Sequence, residues 1–72
     1  MRRDYYYLKI VKGEIEDYEE YFIGHNHQFY LGPEKMKIFD DIDDAIAYKE
    51  EFLSMHKNCL DIKWSDIQVN RL

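Results

Sequence analysis

Apolar and polar positions follow two different periods along this chain, and the change of period divides it. From Tyr5 to Val11 the period is two. Tyr6, Leu8 and Ile10 fall on one side of an extended backbone, and Tyr5, Tyr7, Lys9 and Val11 on the other. Tyr18–Ile23 repeats the pattern, with Tyr21 and Ile23 facing a core and Glu20 and Phe22 opposite. Gly24-His25-Asn26 then reads as a hairpin connection in which Gly and Asn take left-handed conformations. The sequence predicts a third strand over His27–Leu31, with Phe29 and Leu31 sharing the core face and Tyr30 on the other. Gly32-Pro33 ends it. Met36–Phe39 fits either a short edge strand or an extended entry to a helix.

The period changes to that of a helix within Phe39–Asn58. Asp41 is the expected N-cap, with Asp40 as an alternative. Asp43 and Asp44 lie in the first turn, where carboxylates meet the positive end of the helix. No Gly or Pro interrupts Ile42–Lys57, and Asn58 suits a left-handed stop. At about 100° per residue, Ile42, Ala45, Ile46, Phe52 and Leu53 form the expected core stripe. Lys49 and His56 fall inside that apolar arc, so Lys49 must snorkel past its neighbours or meet a carboxylate from elsewhere. Beyond the helix, Leu60, Ile62 and Trp64 alternate, and Ile67 and Val69 alternate in the opposite phase. Ser65-Asp66 must absorb the extra residue as a bulge or tight bend.

These elements predict an α+β domain: a three- or four-stranded, mainly antiparallel sheet with one helix on one face, in the order β-β-β-α-β. One helix covers one face only. The other face carries Tyr5, Tyr7, Phe22 and Tyr30, a larger aromatic row than a soluble monomer normally exposes. Those four are the expected anchors of a protein–protein contact, most simply a homodimer. Tyr48 and Met55, on one flank of the helix, form an expected second interface.

Composition narrows the functional classes. The chain has 72 residues and a single cysteine, so no disulfide within it reinforces a small core. No secretory signal or membrane span is visible, and a cytoplasmic setting is expected. The net charge is −5, with acids concentrated between Glu14 and Glu20 and between Asp40 and Glu51. That balance opposes binding to nucleic acid and favours a basic protein partner. Asp43, Asp44, Glu50 and Glu51 form an acidic arc on the helix that would steer such a partner. Lys9, Lys12, Lys63 and Arg71 would make a basic patch only if the first and last strands pair. A single-stranded nucleic-acid-binding sheet is therefore the rival reading, and a structural homodimer with no separate target a third.

Candidate chemistry is thin. His25-x-His27 and His56-x-x-Cys59 have zinc-ligand types, but nothing in the sequence brings the two halves together. Ordinary histidines and a buried thiol are expected, with no metal and no cofactor. Capping accounts for the aspartates at the helix start. Gly13, Gly24 and Gly32 form no phosphate loop, and Ser54 and Ser65 have no partner residues at catalytic spacing. An enzyme is not expected.

One phrase has a wider likeness. The pattern YYYLKIV … YFIG … FYLG … KIFDDIDDAIAY … LDIKW, above all Ile38-Phe39-Asp40-Asp41-Ile42-Asp43-Asp44-Ala45, resembles small orphan β-β-α-β proteins encoded by phages and prophages of low-GC bacteria. The resemblance implies an interaction protein, since some of those proteins bind and disable host defence or replication proteins. It carries no catalytic residue.

Overall fold

The computed structural model describes residues 4–12, 19–57 and 62–72. Its strands are β1 (Tyr6–Lys12), β2 (Glu19–Ile23), β3 (Phe29–Tyr30) and β4 (Ile67–Arg71), and its helix is α1 (Ile42–His56). They form an α+β fold with an antiparallel sheet of order β3-β2-β1-β4. Strand β1 is central because both of its neighbours pair with it over most of its length. Lys9 faces Phe22 on one side and Gln68 on the other. Tyr18, Asn58, Cys59 and Leu60, to which the sequence assigned roles, lie outside the described residues.

Alternation along the strands sends Leu8, Ile10, Ile23 and Ile67 beneath the helix, where they are buried with Phe39, Ala45 and Phe52. Tyr6, Tyr21, Phe29, Tyr48, Leu53, Ile62 and Val69 close the margin of this core. Phe29 meets Phe52 and Tyr21 edge-on, at ring separations of 6.3 and 5.5 Å. Such edge contacts place the positive rim of one ring on the negative face of another.

The helix begins where its capping residues dictate. Asp41 is extended at φ −137° and accepts a hydrogen bond from the Asp43 N–H. Ahead of it, Met36 and Phe39 each make an isolated bridge, to Gly24 and to Tyr6. The lead-in thus extends the sheet where β2 has ended, without becoming a strand of its own.

Four expectations are corrected. The third strand is only Phe29–Tyr30, because His25–His27 winds into a 3-10 turn and Leu31, 79% exposed, leaves the core face. Gly24 is extended, and the left-handed residues are Asn26 and His27, at φ 59° and 56°. A side chain is excluded at Gly24 by crowding: a Cβ would come within 2.6 Å of the Tyr30 ring and 2.5 Å of the Lys35 carbonyl oxygen. Ile62–Trp64 does not join the sheet; a 3-10 turn at Trp64–Asp66 absorbs the phase change and launches β4. Finally, Ile42 and Ile46 are not core residues, being 44% and 39% exposed. The helix is rolled so that Ala45, Lys49 and Phe52 point inward.

Candidate protein-binding surface

Lys49 shows what that roll requires. The residue is only 8% exposed, and its ammonium lies 3.9 Å from the centre of the Trp64 ring. The indole face supplies negative potential to the ammonium. Burial still disfavours the charge and lowers the Lys49 pKa from its ordinary 10.5. With Lys49 inward, the acidic side of α1 turns to solvent, and Asp43, Asp44, Glu50 and Glu51 are all exposed.

These four acids do not form one cluster. At about 100° per residue, Asp43 and Glu50 share one flank of the helix, and Asp44 and Glu51 the other. Asp44 and Glu51 line an open depression of about 400 Å³ with Lys37, Ile38, Phe39, Asp40, Ala47 and Tyr48. Its rim is carboxylate and its wall is apolar and aromatic. Lys37 stands against that wall, 5.4 Å from the Phe39 ring centre and 5.5 Å from that of Tyr48.

The depression is built on a turn that α1 holds in place. The Tyr48 hydroxyl donates to the Gly24 carbonyl at 2.7 Å and accepts the His27 N–H at 2.8 Å. The His27 ring stacks on Tyr48 at 4.3 Å, nearly parallel, and its Nε2 lies 3.1 Å from Glu51. His56 Nε2 donates to the His27 carbonyl at 2.9 Å. These contacts hold the two left-handed residues of the turn, a conformation that is uncommon outside glycine. Of the expected second interface, Tyr48 is half-buried, with its hydroxyl on the turn and its ring lining the depression, and Met55 is exposed.

The aromatic row sits on the far side of the sheet. Tyr7 stacks on Phe22 at 6.0 Å, and Phe22 is paired across the strands with Tyr30. Lys9 lies 6.0 Å from the Phe22 ring centre and forms an ion pair with Glu20, while Lys35 lies 5.4 Å from that of Tyr30. Tyr5 is exposed; Tyr7, Phe22 and Tyr30 are half-buried by one another and by these lysines. The expected anchors and the expected steering acids thus occupy opposite sides of the molecule. The basic residues are divided as well. β1 and β4 do pair, but alternation puts Lys9 on the outer face and Lys12 and Arg71 in the opposite phase.

His27 and His56 do meet, yet as the braces of a turn. Among the described residues no group of three or more His, Cys, Asp or Glu could hold a metal ion. The sequence reading missed Lys37, Ile38, Phe39 and Asp40 as lining residues, and Tyr48 as the brace. The available signal was the spacing of Tyr48, Phe52 and His56, which marks one helix stripe. Among the described residues no helix is long and apolar enough to cross a membrane. Comparison with protein-family models, curated proteins and solved structures returns no match for this chain.

Proposed function

We propose that this chain is a non-enzymatic binding module whose acidic helix flank docks onto a basic surface of another protein. The observation that carries the reading is the depression beside α1. Asp40, Asp44 and Glu51, against the single cation Lys37, surround an apolar floor made by Ile38, Phe39, Ala47 and Tyr48. An arginine or lysine side chain has that pair of properties, an apolar stem and a cationic head. Carboxylates open to water attract such a group from a distance and hold it with charge-assisted hydrogen bonds. The likeness to phage-encoded interaction proteins extends the proposal: the partner is a nucleic-acid-binding host protein, such as a defence nuclease, whose basic surface is covered in the bacterial cytoplasm.

The test is affinity capture from a bacterial lysate by the wild-type chain and by D40N/D44N/E51Q. Basic proteins retained by the wild type should elute as salt is raised. The variant should retain roughly a tenth as much or less, a difference of about 1.4 kcal/mol. Equal capture by both chains with the same salt dependence would refute the proposal. The rival reading places single-stranded nucleic acid on the outer face, where Lys9 and Lys35 accompany the rings. Retention of the wild type on immobilised single-stranded DNA or RNA at physiological salt would favour it.

A further inference from the structure

The two edges of the sheet are finished differently. β3 is only two residues long, and Gly32-Pro33 comes soon after it, so that edge is blunted. β4 forms the other edge over five residues, Ile67–Arg71, and contains no proline, lysine or bulge. Its hydrogen-bonding groups can be assigned. Tyr6 exchanges both backbone bonds with Phe39, on the side of β1 away from β4, while Tyr5 accepts the Leu72 N–H. In an antiparallel ladder alternate residues bond to the same side. Tyr7 and Lys9 therefore bond to Asn70 and Gln68, and Ile67, Val69 and Arg71 direct their backbone groups outward. The Ile67 N–H alone is already occupied, by the Trp64 carbonyl. Among the described residues nothing pairs with the rest.

We infer that β4 pairs antiparallel with β4 of a second copy of this chain, about a two-fold axis at Val69, to give one continuous sheet. The strand is complementary to itself in that register. Val69 exchanges both bonds with Val69 of the second copy, and each Arg71 N–H reaches the other copy's Ile67 carbonyl. The occupied Ile67 N–H falls at the end of the ladder, where its loss matters least. On the outer face Gln68 meets Asn70 across the seam, amide against amide, and no like charges oppose one another. On the helix face Val69 meets Val69, and Ile67 meets the stem of Arg71. Two of the exposed apolar side chains of α1 fit the same seam. Ile42 and Ile46 lie on the helix flank beyond Lys49, away from Tyr48. Lys49 rests on Trp64, itself 44% exposed and three residues ahead of β4. Two copies joined at β4 bring these flanks together over the joint and cover them. This seam does not involve the acidic depression, so either proposal can fail alone.

Sedimentation equilibrium over a concentration series tests the inference, using the wild type, Q68K/N70K and Q68K/N70E. Both variants change only outward-facing side chains of β4, and they share the first substitution. Q68K/N70K sets lysine against lysine at both ends of the seam and should weaken dimerisation about tenfold. Q68K/N70E sets lysine against glutamate and should restore or tighten it. In the wild-type dimer the Val69 amide should exchange with deuterium more slowly as concentration rises. A wild type that stays monomeric throughout, or a dimer whose affinity ignores the charge series, overturns it. So does a Val69 amide whose exchange is independent of concentration.

Discussion

Lys49 concentrates the chemistry of this fold in a single residue. A lysine in the core stripe has three ways to be tolerated: reach past its neighbours to water, pair with an acid, or lie on an aromatic face. The chain takes the third, with Trp64 at 3.9 Å. The consequence is measurable. Burial lowers the Lys49 pKa in the folded state, while the unfolded chain keeps the ordinary 10.5. Between the lowered value and 10.5 the unfolded chain binds more protons, so stability rises with pH in that window. Below it, the desolvation cost is present in full. In K49M that dependence disappears together with the cation–π contact, which contributes about 0.5–2 kcal/mol. Urea denaturation between neutral pH and about pH 10 should show a constant difference from K49M below that window and the wild type gaining once the pH enters it. Tyrosine ionisation is common to both chains and cancels. A difference that stays constant over the whole range would show that the ammonium is not desolvated.

At the scale of elements, the helix was the most legible part of the sequence and the turn after β2 the least. Period, capping aspartate and first-turn acids specified Ile42–His56 to within a residue, because each acts locally. Strand alternation placed Leu8, Ile10, Tyr21, Ile23 and Phe29 correctly for the same reason. The roll of the helix was not legible, because it depends on Trp64, a residue from another element. The turn at His25–His27 was hidden too, since its left-handed residues are held by Tyr48, Glu51 and His56, all more than 20 positions away in sequence. The acidic depression inherits this limit. Asp44 and Glu51 were readable as one helix flank, whereas Asp40, Phe39 and Tyr48 joined them only through the lead-in and the braced turn. Tyr48→Phe tests the brace while keeping the ring. It leaves the His27 N–H and the Gly24 carbonyl without their partner, at a cost of about 1–3 kcal/mol. The His27 amide should become the site of fastest gain in hydrogen exchange. Unchanged exchange at His27 would mean that the turn is specified by its own residues.

On the scale of the whole molecule, the sheet separates two surfaces that composition alone would combine. Acids interleaved with aromatics suggest one mixed binding face. The fold instead puts Asp40, Asp44 and Glu51 on the helix side and Tyr7, Phe22 and Tyr30 on the other. The outer rings also have internal work. Tyr7 and Phe22 stack on each other, and Tyr30 covers Gly24, where a side chain would not fit. Such a row stabilises the sheet whether or not a partner ever touches it. Tyr7→Leu and Phe22→Leu together should therefore lower folding stability, losing about 0.5–1.5 kcal/mol of ring pairing beyond the change in buried area. Capture of basic proteins should nevertheless persist at the wild-type level. The acidic variant should show the reverse: lost capture with folding stability lowered by about 1 kcal/mol, from the loss of Asp44 in the first turn of the helix and of the exposed Glu51–His27 contact. Denaturation and capture measured on the same preparations separate the two effects. If the folded Leu variant loses capture, the aromatic face is a partner surface after all, and the partner must then reach both sides of the sheet or bind the outer side alone.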